Sequence, residues 1–221
     1  TSTRQDAVAL GGLDPAKLHV VPLGVGGEWH PIDSSGGEPY IVFVGLLKPH
    51  KNLGVLLSAF ESIADRIPHR LVLIAKHEGL RSIDEAALEQ ARRLAPRVEL
   101  HDAVSAQELQ RIVAGADLLV HPSLHEGFGL TPLEAMAAGV PVIASATGAI
   151  ADYGGDAVRF IDPRSSAQLA TDMLEVLQNP SLRATMRSRG IALARRYTWT
   201  ACADATVGII ETAVEQERRT A

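Results

Sequence analysis

The sequence predicts an α/β fold: a doubly wound, mostly parallel sheet of about six strands with helices on both faces. Three observations lead there. Short apolar runs recur at 40–44, 71–75, 98–101, 118–121, 140–144 and 158–161, and the longer ones are continuously apolar, as strands covered on both faces are. Helical patterns lie between them. At one end of the fourth run, an apolar strand passes into a helix through a Gly-Phe-Gly turn.

Taken in order, residues 1–38 read as a short helix, a strand at 18–23 and the stretch GVGGEWHPIDSSGGEP, whose Gly, Pro and Ser content marks a linker. The regular pattern starts at Tyr40. Leu53, Leu56, Leu57, Phe60 and Ile63 form one face of a helix. Leu109, Ile112, Val113 and Ala116 repeat that spacing, and so do Leu169, Met173, Leu174 and Leu177. After Asp162-Pro163 the pattern is helical, with breaks at Asn179-Pro180 and near Tyr197-Thr198-Trp199. The expected organisation is an entry segment over 1–38, a sheet domain over 39–197 and a closing helix over 198–221.

Composition narrows the function classes. At 221 residues and 46% apolar, the chain can bury a full core. A net charge of −5 argues against general nucleic-acid binding, which needs a basic face. Cys202 is the single cysteine and cannot close a disulfide within the chain, so a reducing, cytoplasmic setting is expected. No apolar run is long enough to span a bilayer, and the opening TSTRQDAVALGG lacks the order of a secretion signal.

The segment HPSLHEGFGLTPLEAMAAGVPVIAS carries the chemistry. It places Glu126 and Glu134 either side of the glycine turn, where a strand opens into a crevice and a helix begins with unpaired N–H groups. Glycine amides at a helix start suit a phosphate, and a nearby carboxylate suits sugar or ribose hydroxyls. Glu134 has two readings, a carboxylate at the positive end of a helix dipole or an acceptor for ribose hydroxyls, and the pattern leaves both open. The loop GLLKPHKN, from Gly45 to Asn52, puts Lys48 and Lys51 at another strand–helix junction. A lysine there neutralises a diphosphate or is simply a solvated cation, and the spacing does not choose. His121 and His125 straddle a strand end and Pro122, which is not the H-E-x-x-H arrangement of a zinc site, so no metal is expected.

Together these pieces resemble the carboxy-terminal, donor-binding half of glycosyltransferase family 4, the retaining enzymes of GT-B fold. HVVPLGVGGEWHP is similar to that family's entry turn, FVGLLKPHKNLGVLLSAF to its phosphate-lysine loop, and the long segment around Glu126 and Glu134 to its E-x7-E block. TGAIADYGGDAVRFIDP and RRYTWTACA resemble its later loop and closing helix. The resemblance implies one Rossmann-like half of a GT-B fold, with a nucleoside diphosphate sugar as donor substrate and no cofactor.

It also implies roles for residues. Lys51 contacts the diphosphate near Gly45, Glu134 holds the ribose, and Glu126 stands by the donor sugar. The amides of Gly127, Phe128, Gly129 and Leu130 line sugar and phosphate with Thr131 close by, and backbone at Ala103 and Val104 meets the base. Glu126 and Lys51 are the expected catalytic pair. The sequence departs from the family at Leu46, where an arginine is common, so neutralisation falls on Lys51 helped by Lys48 or His50. Asp152 stands where glutamate is usual. The resemblance further implies a separate amino-terminal acceptor domain, without which this chain is inactive and through which any membrane association would come. The alternatives are a module that binds nucleotide without transfer, and a nucleotide-sugar epimerase of the same architecture.

Overall fold

A computed structural model describes residues 2–32, 37–76 and 83–220. Its centre is a six-stranded sheet of β1 (Tyr40–Leu46), β2 (Arg70–Lys76), β3 (Val98–His101), β4 (Leu118–His121), β5 (Val142–Ser145) and β6 (Val158–Ile161). The strand order is β3-β2-β1-β4-β5-β6 and every pairing is parallel. This is the predicted α/β, Rossmann-like fold, with the sheet wholly rather than mostly parallel.

Helices cover both faces. After α1 (Ser2–Ala9) come α2 (Leu53–Ile63), α3 (Glu85–Arg93), α4 (Ala106–Ala114), α5 (Leu130–Ala137), α6 (Gly148–Tyr153), α7 (Ser166–Gln178), α8 (Pro180–Ala194) and α9 (Trp199–Thr220). Alternate strand residues feed two cores. Ile41, Phe43, Leu71, Leu73, Val120 and Ile143 pack with α2, α3 and α7, while Val42, Leu119, Val142 and Ala144 pack with α4, α5 and α6. This alternation is the period-two geometry of a strand. Arg97 closes one end of the first core: its guanidinium donates to Ala64 O, Ile67 O and His69 O and lies over the Phe60 ring.

Three expectations need correction. Residues 18–23 form no strand; they lie across a cavity from the Gly127-Phe128 turn and α6, and the six paired strands do not include them. The fifth strand starts at Val142, not at residue 140. Pro141 has no N–H to donate, and its carbonyl accepts from Leu119 N at 2.9 Å. The Gly-rich stretch after Leu23 is more than a linker. Val25, Trp29 and Ile32 pack on the second core, and Val25 N donates to Tyr197 O at 3.0 Å; residues 33–36 lie outside the described residues.

Helix α9 is exposed along most of its length, with Trp199, Val207, Ile210 and Val214 open to solvent. Among the described residues, no helix is long and apolar enough to cross a membrane.

Candidate functional site

Strand order reverses between β1 and β4, and there the ladder is brief. It holds at Ile41↔Leu118 and Val42↔Leu119, after which the strands part. A crevice outside the carboxyl ends of such strands is where open α/β sheets bind ligands. Two loops line it, one following β1 and the other following β4.

The first loop is fixed by Asn52. Its backbone is left-handed, with φ 56°, a conformation asparagine tolerates better than most residues. Its side-chain amide donates to Pro122 O at 3.0 Å and to Pro163 O at 2.7 Å, binding together the loops that follow β1, β4 and β6. Leu124 N donates to His50 O at 2.8 Å, a second tie between the first loop and the β4 loop. Lys51 is thereby aimed inward. Its stem passes close to Gly45, where a Cβ would stand 3.7 Å from Lys51 Cδ, and its ammonium meets Glu126 Oε1.

Glu126 is tied by three donors. Besides Lys51 Nζ, the same Oε1 receives His121 Nε2 at 2.8 Å and Ser123 Oγ at 3.3 Å. Burial pushes this carboxyl up, but the hydrogen bonds from His121 and Lys51 outweigh it and hold it at about 2. Glu126 is therefore anionic throughout the neutral range. Gly148, with φ 57°, presses on its backbone: a Cβ there would lie 2.1 Å from Glu126 O.

Helix α5 begins beyond Gly129, whose φ of 84° suits glycine alone at little cost. Its first N–H groups have no acceptor within the helix. Tyr153 Oη donates to Gly129 O at 2.7 Å, and its ring packs at a tilt against Phe128 and Tyr197, bracing the turn. Burial first, then the Glu126 charge, pushes the Tyr153 phenol up, so it stays a donor. Glu134, one turn into α5, is half-buried. Burial and then Glu28 push its carboxyl up to about 7.

Two cavities flank this constellation. One of about 390 Å³ gathers Gly45, Lys51, Ala103, Val104 and Thr131, five of the residues singled out in the sequence. The other, of about 490 Å³, holds Gly127 and Phe128 against residues 18–23, Asp152 and Tyr153. The expected residues thus do not share one space: five line the first cavity and two the second, while Glu126, Gly129, Leu130 and Glu134 line neither. Glu126 is bonded to Lys51 of the first and precedes Gly127 of the second.

Five residues around the site are not legible in these roles from the sequence. Lys76, at the end of β2, lines the first cavity beside Lys51. Lys48 and His50 do not line that cavity; burial and then the Lys51 charge push His50 down, so its imidazole is no standing cation. Asn52, Gly148 and the His121–Ser123 pair also went unread. Asn following a lysine loop, and Gly opening a helix, were available signals for the first two. In the sequence His121 reads only as a possible metal ligand.

An all-parallel sheet whose order reverses between β1 and β4 places the molecule among doubly wound α/β proteins, with a charged pair at the reversal. The chain belongs to the family of glycosyl transferases group 1, which matches residues 28–192. It is 32% identical over 173 residues to the O-antigen chain mannosyltransferase B of Escherichia coli, covering 77% of this chain and 45% of that protein. Identity to the D-inositol 3-phosphate glycosyltransferase of Segniliparus rotundus is 31% over 206 residues, covering 86% of this chain and 46% of the relative. The chain spans about half the length of these curated relatives.

Solved structures agree on the fold. Sucrose-phosphate synthase from Thermosynechococcus elongatus matches with a TM-score of 0.81 at 23% identity, over 98% of this chain and 58% of that one. The C-terminal domain of a glycosyl transferase group 1 family protein from Francisella tularensis matches with a TM-score of 0.65 at 22% identity, over 80% of this chain and 95% of that one.

Proposed function

We propose that this chain is the carboxy-terminal, donor-binding half of a retaining glycosyltransferase of family 4. In this reading the whole enzyme moves a sugar from a nucleoside diphosphate to an acceptor hydroxyl. The observation that carries it is the Lys51–Glu126 pair in the crevice between β1 and β4, with the bare amides at the start of α5 beside it. The match over nearly the whole of a solved C-terminal domain supports the assignment to that half.

The chemistry follows from charge. Breaking the glycosidic bond leaves negative charge on the diphosphate and positive character on the sugar ring. Lys51, with Lys76 nearby and the amides of Gly127, Phe128, Gly129 and Leu130, supplies donors for the first. Glu126, ionised through the neutral range, faces the second. The base lies against Ala103 and Val104, and Glu134 takes the ribose hydroxyls. Because Glu134 sits at about 7, it offers both donor and acceptor forms near neutrality. Neutralisation by protein cations and amides gives the donor what it needs without a separate cofactor.

The acceptor is assigned to an amino-terminal domain, so this chain binds the donor without turning it over. A thermal-shift panel of UDP, GDP and ADP, with and without their common sugars, tests the reading, since a ligand that favours the folded state raises the midpoint. One base family should stabilise the chain and lose its effect in Lys51→Met. No stabilisation by any nucleotide, or an undiminished shift in Lys51→Met, sinks it. Product analysis with a bound nucleotide sugar separates the alternatives: an epimerised sugar would identify an epimerase.

A further inference from the structure

Glu126 is held by one oxygen. Lys51 Nζ, His121 Nε2 and Ser123 Oγ all meet Oε1, and among the described residues no bond reaches Oε2. The three donors differ in mobility. Lys51 carries its ammonium on a flexible four-carbon stem. His121 is the last residue of β4 and is 2% exposed, and Ser123 is fully buried, so neither can follow a ligand.

The hydrogen bonds also fix the His121 tautomer. An ionised carboxylate only accepts, so Nε2 must carry the hydrogen it shares with Oε1. That one Nε2–H is shared with Ser123 Oγ, 3.1 Å away, which gives its own hydrogen to Oε1. The other ring nitrogen, Nδ1, is buried with no partner, so nothing competes for the ring's orientation.

We propose that His121 is the positioning residue of this site: when Lys51 turns to a diphosphate, the His121 Nε2–H, braced by Ser123, keeps Glu126 in place with Oε2 toward the sugar. The inference rests on reading the crevice as a nucleotide-sugar site. Without His121, a half-buried carboxyl that has given up its lysine keeps one weak donor, and burial then favours its neutral form. A neutral, reoriented Glu126 could not balance positive charge on a sugar ring. The other charged or titratable groups facing this carboxylate are His50 and Tyr153, with Lys48 and His125 acting on His50.

The test compares His121→Gln with His121→Asn. Both are polar, but the glutamine amide reaches the place of Nε2 while the asparagine amide overlies Nδ1. Carboxyl-carbon NMR of Glu126 is followed with pH in a Lys51→Met background, where the lysine's departure is permanent. Glu126 should titrate alike with His121 or Gln, and take up its proton at distinctly higher pH with Asn. Identical titrations with His121 and with Asn overturn the proposal.

Calorimetry on the chain with Lys51 intact gives the second readout. His121→Asn should weaken binding of the stabilising nucleotide sugar about tenfold, leave the parent nucleoside diphosphate unchanged, and be rescued by Gln. Equal weakening of both ligands means a general structural role and overturns the proposal. If the wild type binds no nucleotide, the site reading falls together with the role of Oε2 toward a sugar. The carboxyl titration still decides whether His121 holds Glu126.

Discussion

Glu126 and Glu134 belong to one short block, yet their surroundings push them in opposite directions. Glu126 gathers a lysine, a histidine and a serine on one oxygen and is held at about 2. Glu134 lies in the first turns of a helix, half-buried near Glu28, and is pushed up to about 7. Both start from an ordinary value of 4.5. The difference shows that a motif fixes spacing while burial and the surrounding donors and charges set the protonation of each carboxyl. One glutamate is a permanent anion and the other a group poised to exchange hydrogen bonds.

The strongest way to break the contrast is to move the Glu126 backbone. Gly148→Val puts a branched side chain at φ 57° and 2.1 Å from Glu126 O, so it should cost about 2–4 kcal/mol of stability. Urea denaturation checks this, and nucleotide binding should be lost with it. A variant with the wild-type midpoint would show that the α6 start does not brace Glu126.

Removing the lysine is next in size. Lys51→Met should weaken nucleoside diphosphate binding roughly a hundredfold, the scale of losing one preorganised cation. Isothermal titration reads it, and affinity near that of the wild type would remove Lys51 from the phosphate site. The same change should raise the Glu126 carboxyl from about 2, because one of its opposing hydrogen bonds is gone.

Asn52 acts at one remove. Asn52→Ala loses the amide bonds to Pro122 O and Pro163 O and strains a left-handed position, which should cost about 1–3 kcal/mol. Asn52→Gly keeps the backbone conformation and should cost less; the difference in unfolding free energy isolates the strain. Equal losses would assign the whole effect to the amide bonds.

The smallest effect concerns pH. Glu126, with its carboxyl lowered, stabilises the fold above 4.5, and that contribution disappears as pH falls toward about 2. Glu134 is raised, so its contribution is complete below 4.5 and disappears as pH rises through about 7. Glu134→Gln should therefore gain on the wild type between pH 5 and pH 8, by about 2–4 °C in thermal midpoint for roughly 1 kcal/mol. A pH-independent difference between the two proteins would remove Glu134 from this role.

Much of this arrangement was legible in the linear chain. Continuous apolar runs separated by helical spacing announce a parallel sheet, because strands covered on both faces need no polar alternation. Three of the six runs match observed strands end to end. The E-x7-E block and the lysine loop also announced themselves, since their chemistry is local: amides at a helix start, a cation beside a turn. The 18–23 run misled because an apolar stretch becomes a strand only if an edge stands ready to pair with it.

What lay beyond the linear order depends on distance through space. Lys51 and Glu126 are 75 residues apart along the chain and share a hydrogen bond because β1 and β4 are neighbours. Asn52 gains its partners from loops 70 and 111 residues away. Periodicity reports which face of an element is buried, and composition reports what the chain can bury. Neither reports which strand ends meet, and it is that meeting which brings Lys51 to Glu126, while burial and the nearby Glu28 push the Glu134 carboxyl up.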